Sequence, residues 1–449
     1  MEKKWEELTP DEKREDRFKK WLSPSDVEFS SPKAEKAYKE RATRFIKVIK
    51  LEEPDRVPVV LPAAFFPAHY AGTTLKKVIY DYDELRRAWL KFFNDFDADT
   101  DFDTDSFFGP GLVIPGKVFD ALDYKLYKWP GHGLADDAPT YQCVEGEYMK
   151  ADEYDALLKD PSDFWLRTYL PRVFGKFESF KNLAPFTDIV EIPMMYFVPY
   201  MDSDVQAALQ ALIAAGKEIK KWLDAVGDVS KEVLEAGYPS IWGGLAKAPF
   251  DTLGDTLRGT QGIMMDMYRQ PDKILEAMEK LTPITIDAAV ASADATECPV
   301  IMMPLHKGAD GFMSEKQFET FYWPTLKRVI LALVDEGIAP MLFAEGSYNS
   351  RLDIVKDLPR SAVIWYFDQT DMARAKEVLG KTACIAGNVP GSLMMTGDPQ
   401  TVKEHCRRLI EVCGKGGGYI LTGGVNIDKG NPENMRAMMG AAKEYGVYK

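Results

Sequence analysis

The second half of the chain alternates apolar runs with helical stretches, and this alternation constrains the fold more than any other feature. YPSIWGGL follows a helical stretch over 204–236, PVIMMPL one over 270–296, and APMLFAEG one over 314–337. SAVIWYFD comes next, then a helix near 371–379, TACIAGN, a helix near 398–413, GGYILTGG and a final helix over about 431–445. Short Val-, Ile- and aromatic-rich runs alternating with helices make parallel βα units. Upstream, RVPVVLPAAF reads as a first strand between prolines, and Leu85, Trp89 and Phe92 mark a helix over 83–96. With a strand from FDADTDFDTDSFFGPG, the strand count comes near eight, which predicts an α/β (β/α)8 TIM barrel. An open doubly wound sheet is the alternative.

Two regions stand outside the alternation. Residues 1–50 are polar and helical in character and read as an N-terminal extension, with the barrel over 51–449. Residues 107–200 are rich in Pro, Gly, Asp and aromatics and read as an insertion covering the barrel mouth.

Composition narrows the partners. A net charge of −14 argues against nucleic acid or an anionic membrane, since both require a basic face. No apolar run approaches a membrane span, and the charged start MEKKWEELTPDEKRED has no secretory h-region, so a cytoplasmic location is expected. The cysteines, Cys143, Cys298, Cys384, Cys406 and Cys413, form no CxxC pair and read as ordinary buried thiols. Only His69, His132, His306 and His405 are available for histidine chemistry.

In a barrel, chemistry collects where strands end and loops begin. The acidic run places aspartates at 97, 99, 101, 103 and 105 on one face of a strand. Five unpaired carboxylates cannot enter a barrel interior, so Asp103 and Asp105 are the candidates for the mouth, as acid/base groups or metal contacts. His306 closes PVIMMPLHKG, where an imidazole suits proton transfer or metal ligation. Glu345 closes APMLFAEGS, a costly place for a carboxylate unless something uses it. Asp368 follows SAVIWYF and could reach the site, whereas Asp371 reads as the N-cap of the next helix. Asn388 could bind substrate or fix its loop, and Gly423 and Gly424 permit close backbone approach before Asn426 and Asp428. GKGGG at 414–418 lacks the spacing of a phosphate loop and precedes a strand.

Several longer stretches are shared with one family. They are RVPV, DELRRAWLKFFNDFDADT, GGLAKAPFDTLGDTLRGTQGIMMDMYRQPDKILEAMEKL, FMSEKQFETFYWPTLKRVI, AGNVPGSLMMTGDPQTVKEHCRRLI and GGYILTGG with PENMRAM. In order and spacing they resemble the uroporphyrinogen decarboxylase superfamily over about residues 50–447. The resemblance implies a TIM barrel and either of two chemistries: cofactor-free decarboxylation, or zinc-dependent methyl transfer involving a corrinoid protein. The decarboxylases carry an RQAGR-type segment after the first strand, but here LPAAFFPAHYAG has no arginine to pair with substrate carboxylates. The thiol-methylating members carry a zinc motif HxCG. Here Phe343 stands at its His, Glu345 at its Cys, and Val425 near their later cysteine.

The resemblance therefore points to the ether-cleaving branch. The expected function is a methyltransferase moving a methyl group from a small methoxyaromatic-type substrate to a corrinoid protein. The cofactors this implies are zinc on His306, Glu345 and Asp428, and cobalamin carried by the partner, with a homodimer as the assembly. Substrate is expected under Phe107, Phe108, Trp129, Tyr196 and Phe197, with Asn388 and Asp368 also in reach. The alternatives are a decarboxylase-like lyase using Asp103 or Asp105, and a non-catalytic tetrapyrrole or corrinoid binder.

Overall fold

A computed structural model describes residues 3–97, 104–187, 191 and 194–449. Among the described residues, eight short parallel strands form the centre: β1 (Val60–Leu61), β2 (Ser106–Phe107), β3 (Gly244–Leu245), β4 (Val300–Leu305), β5 (Ala339–Ala344), β6 (Ile364–Phe367), β7 (Cys384–Ala386) and β8 (Tyr419–Ile420). Strands β3 to β8 pair consecutively, β1 pairs with β2, and a parallel bridge between Val59 and Leu421 joins β8 back to β1. Between β2 and β3 the contact is by side chain. Ser106 Oγ donates to the Pro239 carbonyl at 2.8 Å, and Phe107 meets Tyr238 ring to ring at 4.9 Å. The result is the (β/α)8 TIM barrel that the alternation predicts.

The longer barrel strands, β4 to β7, are apolar on both faces, because one face lines the bore and the other meets helices. Val300, Met302, Met341, Phe343, Ile364, Tyr366, Cys384 and Ala386 pack together inside. Their neighbours Ile301, Met303, Leu342, Trp365 and Ile385 face the helical layer. The long helices fall where their periodicity places them, including Ser203–Glu235, Pro271–Thr296 and Pro432–Tyr445.

Residues 1–50 do more than coat the surface. Helix α1 (Pro10–Leu22) starts at a Thr9–Glu12 capping box and is followed by α2 (Pro32–Ile49). Phe18, Trp21, Phe45 and Ile49 join the apolar cluster of the bore. Arg17 Nε donates to the Glu336 carbonyl, Trp21 Nε1 to that of Ser240, and an Arg14 guanidinium nitrogen to that of Ser361. Those carbonyls lie in the loops entering β5, β3 and β6, so the extension plugs the N-terminal end of the barrel.

β2 begins at Ser106, leaving Asp105 just before the strand, at the end opposite the mouth. Asp105 is fully buried and accepts from Arg44, from Arg56 and from the backbone N–H of Val59. The expectation that it faces the mouth as an acid/base is corrected: two guanidiniums neutralise it where the chain enters the barrel. Asp103 lies outside the described residues. Phe107 is likewise turned outward, against Phe92, Phe93 and Tyr238, and does not line the mouth.

Candidate active site at the barrel mouth

The loops after β3, β4 and β5 bring together one polar group. β4 ends at Leu305, so His306 and Lys307 come next; β5 ends at Ala344, so Glu345 comes next. Between β3 and β4, the helical turns Pro249–Asp251 and Thr252–Leu257 carry Asp251 and Asp255 four residues apart, on one side.

Asp251 builds the loop. Its fully buried carboxylate accepts the backbone N–H of His306 and that of Lys307, each at 3.0 Å, and the Tyr322 hydroxyl at 2.7 Å. Burial, helped by the charge of Asp255, pushes its carboxyl up to about 6.

Asp255 organises the charges. It lies 2.6 Å from His306 Nδ1, 2.9 Å from Lys247 Nζ and 3.3 Å from Lys307 Nζ. Burial opposes its ionisation, but the His306 hydrogen bond and the Lys247 charge hold it well below the usual carboxylate range. On the other side of the imidazole, Nε2 lies 3.5 Å from Glu345 Oε1. Burial alone would lower the imidazole, but hydrogen bonds to Asp255 and Glu345 overcome it and raise His306 to about 10. The mouth thus holds an imidazolium between two carboxylates.

The wall beside this group is apolar. Gly244 turns toward the helical layer, since a Cβ there would meet Ser292 and Ile301. Leu245 therefore faces the bore, where it is 63% exposed. Phe343 stacks on Tyr366 with ring centroids 4.4 Å apart, and Phe108 packs on Trp242 at 4.5 Å.

The other candidates take varied places. Asp368 accepts the Gly346 N–H at 3.0 Å, and burial raises its carboxyl. Asn388 is a loop tie: its amide donates to the carbonyls of Asp368 and Thr370. Asp371 caps the helix Met372–Leu379 as expected. Asp428 lies by Thr140 and the Phe65 backbone, and burial raises it to about 6. Trp129 is fully buried, donating to the Tyr80 hydroxyl, so it is corrected from a substrate contact to a packing residue. Tyr196 contacts Phe197, Phe186 and Tyr200 in an aromatic cluster of the insertion. Cys143 is exposed, correcting its expected burial; the other four cysteines are buried.

A zinc centre needs three protein donors converging on one point. His306 and Glu345 converge, but among the described residues no group of three His, Cys, Asp or Glu side chains could hold a metal ion. Asp428 does not complete the expected set, so the donors do not fit zinc.

Sequence reasoning missed Asp251, Asp255, Lys247 and Lys307. The available signal was the i, i+4 acidic pair in PFDTLGD, directly after a strand.

Comparison with known proteins agrees with the fold. The profile of the uroporphyrinogen decarboxylase family matches residues 197–445, more than half of the chain. The chain belongs to the uroporphyrinogen decarboxylase family. The family segment runs from the end of the insertion to the last helix and contains every member of the His306 group. A curated uroporphyrinogen decarboxylase from Syntrophotalea carbinolica is 25% identical over 169 residues, covering 37% of this chain and 48% of that protein. The chain thus matches about half the length of that curated relative. A solved methyltransferase from Methanosarcina mazei shares the fold with a TM-score of 0.56 at 16% identity, over 90% of this chain and 98% of its own. Among the described residues no helix is long and apolar enough to cross a membrane.

Proposed function

We propose that the protein is an enzyme that takes a methyl group from a small aryl methyl ether and passes it to a corrinoid carried by a partner protein. The observation behind this reading is the imidazolium of His306, held between Asp255 and Glu345 at the end of an apolar bore. A phenolate leaving oxygen has a proton affinity near that of a tyrosine side chain, ~10. An imidazolium raised to about 10 matches it, so proton transfer costs little in either direction. Leu245, Phe343 and Tyr366 offer the ring an apolar wall.

In the proposed step the methyl carbon–oxygen bond breaks and its electron pair stays on the oxygen. That oxygen takes the proton from His306 Nε2, and the methyl group goes to the nucleophile presented at the mouth. A reduced corrinoid supplies that nucleophile. Asp255 keeps the imidazole charged and oriented through Nδ1, and Glu345, beside Nε2, helps hold that proton on the ring until it is transferred. Lys247 and Lys307, the cations that join the His306 group, already face Asp255, which leaves them little to offer the carboxylates of a uroporphyrinogen.

The test is single-turnover methyl transfer from a methoxyaromatic donor to a cognate reduced corrinoid protein, followed by the corrinoid's absorption. Transfer is expected with the native chain and should fall at least ~100-fold in His306→Asn, the usual worth of a general acid. Absence of transfer with every methyl donor tried, or turnover of uroporphyrinogen, would overturn the reading. Stoichiometric zinc in the purified protein would reassign His306 and Glu345 from proton transfer to ligation.

A further inference from the structure

Helix α3 (Ser203–Glu235) is 33 residues long, about 50 Å at 1.5 Å per residue, and only part of it is covered. Its C-terminal half packs beside the barrel: Ala225 and Val229 are buried, Trp222 Nε1 donates to the Val113 carbonyl at 2.8 Å, and Asp228 pairs with Arg86. In its N-terminal half one face, with Val205, Ala208 and Ala215, packs on Phe177, Phe180 and Leu183 of the insertion. The neighbouring face is open. Leu209, Leu212, Gly216 and Leu223 succeed one another at steps of three, four and seven residues, which aligns them along one side. Leu212 and Leu223 are exposed there, as is Ile213 beside them, and a Cβ on Gly216 would meet no atom within 4 Å.

The short 3-10 helix Met194–Met201, just before α3, extends this surface. It is tied to α3 by Gln206, whose Nε2 donates to the Tyr200 carbonyl at 2.8 Å, and Gln206 lies two turns ahead of Ile213 on the same side. Met194, Met195 and Met201 are 72%, 77% and 79% exposed, and Phe197 is exposed with them. Together with Leu212 and Ile213 they present roughly 700–800 Å² of surface, taking about 200 Å² for a fully exposed side chain of this size. The largest apolar patch of an ordinary monomer covers about 300–600 Å², whereas each partner of a stable dimer buries about 800 Å².

The charges along the edge select the occupant. Asp202, the N-cap of α3, and Lys220 lie about five helical turns apart, so they stand on one line beside the apolar face, with Leu212 near the midpoint. A second α3 turned about a twofold axis there runs antiparallel, and each Asp202 meets the other copy's Lys220. Lys220 now holds Asp224, an exposed pair that exchanges readily. A lipid surface fits less well, because Glu191, Asp202 and Asp204 border the apolar turn and an anionic membrane repels them.

We propose that this face is the docking surface for a second copy of the chain, α3 against α3 in antiparallel order about a twofold axis near Leu212. The inference is independent of the reaction proposed at the mouth.

The full-length chain is followed by sedimentation velocity across a concentration series. A dimer with a Kd of ~1 µM or tighter is expected, the weak end for an interface of this size. Leu212→Glu and Met201→Glu, both at exposed positions, put an unpaired carboxylate under the partner and should weaken the dimer at least ~100-fold. Lys220→Glu sets carboxylates against each other and should weaken it roughly two- to tenfold. A native chain that stays monomeric, or a dimer equally tight in both apolar-to-Glu variants, would overturn the proposal. A dimer undiminished in Lys220→Glu would overturn the antiparallel order, and a monomer that binds phosphatidylcholine vesicles would replace the second copy by a lipid surface. Should a variant fail to fold, the native chain decides under limited peroxide oxidation read by mass spectrometry. Met194, Met195 and Met201 should then be oxidised more slowly than Met265 and Met395, which are 45% and 47% exposed elsewhere. The reverse order, which a lone chain would give, counts against the interface.

Discussion

His306 shows how far one residue's chemistry depends on its neighbours. An isolated imidazole is mostly neutral above pH ~6.5. Here Asp255 and Glu345 keep it charged to about 10. Because the folded value is raised, the stabilisation from this charge is fully present below ~6.5 and is lost as pH rises through about 10. Thermal unfolding of the native chain should therefore weaken between pH 8 and pH ~11 by more than that of His306→Gln. Methyl transfer should fall over the same interval, because the proton donor disappears. In Asp255→Asn the imidazole loses its closest charge partner, and its titration, followed by ring-proton NMR, should move down by at least ~1 unit. An unchanged titration would remove Asp255 from its assigned role. The sequence made His306 and Glu345 visible because each ends an apolar run. It hid Asp255, because a carboxylate inside a helical turn looks like any solvated surface charge until the turn is placed against the loop.

At the scale of elements, the clearest contrast is between the two ends of β2. The aspartates before it alternate in sequence as if on a strand face, yet Asp105, the last of them, stands just before Ser106, where β2 begins. Asp105 instead binds Arg44 of α2 and Arg56 ahead of β1, tying the plug to the barrel entrance. Removing its charge would take away the buried carboxylate that Arg44 and Arg56 share, Arg44 keeping Asp55 as its outer partner. Asp105→Asn should cost about 3–5 kcal/mol in chemical denaturation, the usual penalty for breaking a buried pair. A loss under ~1 kcal/mol would show that solvent reaches this site. Strands and long helices were legible because burial imposes periods of two and 3.6 on the chain. Strand ends were less legible, since the last ladder hydrogen bond depends on a neighbour far away in sequence.

On the scale of the whole molecule, the N-terminal helices belong to the barrel they close. Trp21 is 3% exposed and lies in the same cluster as Val300, Met341 and Cys384. Trp21→Ala should cost about 3–5 kcal/mol, as large-to-small core changes do, and should unfold together with the barrel in one transition. A separate early transition would mean that the plug melts alone.

The sequence by itself determined the alternation of strands and helices, and through it the barrel and the mouth as the place for chemistry. It also determined that His306 and Glu345 stand at strand ends, because position within an apolar run is a local property. Only the tertiary structure decided that these two meet, that Asp255 and two lysines join them, and that Asp105 leaves for the opposite end. Those are contacts between segments tens to hundreds of residues apart. Charge, burial and proton affinity at the mouth are set by such contacts, and no periodicity along the chain encodes them.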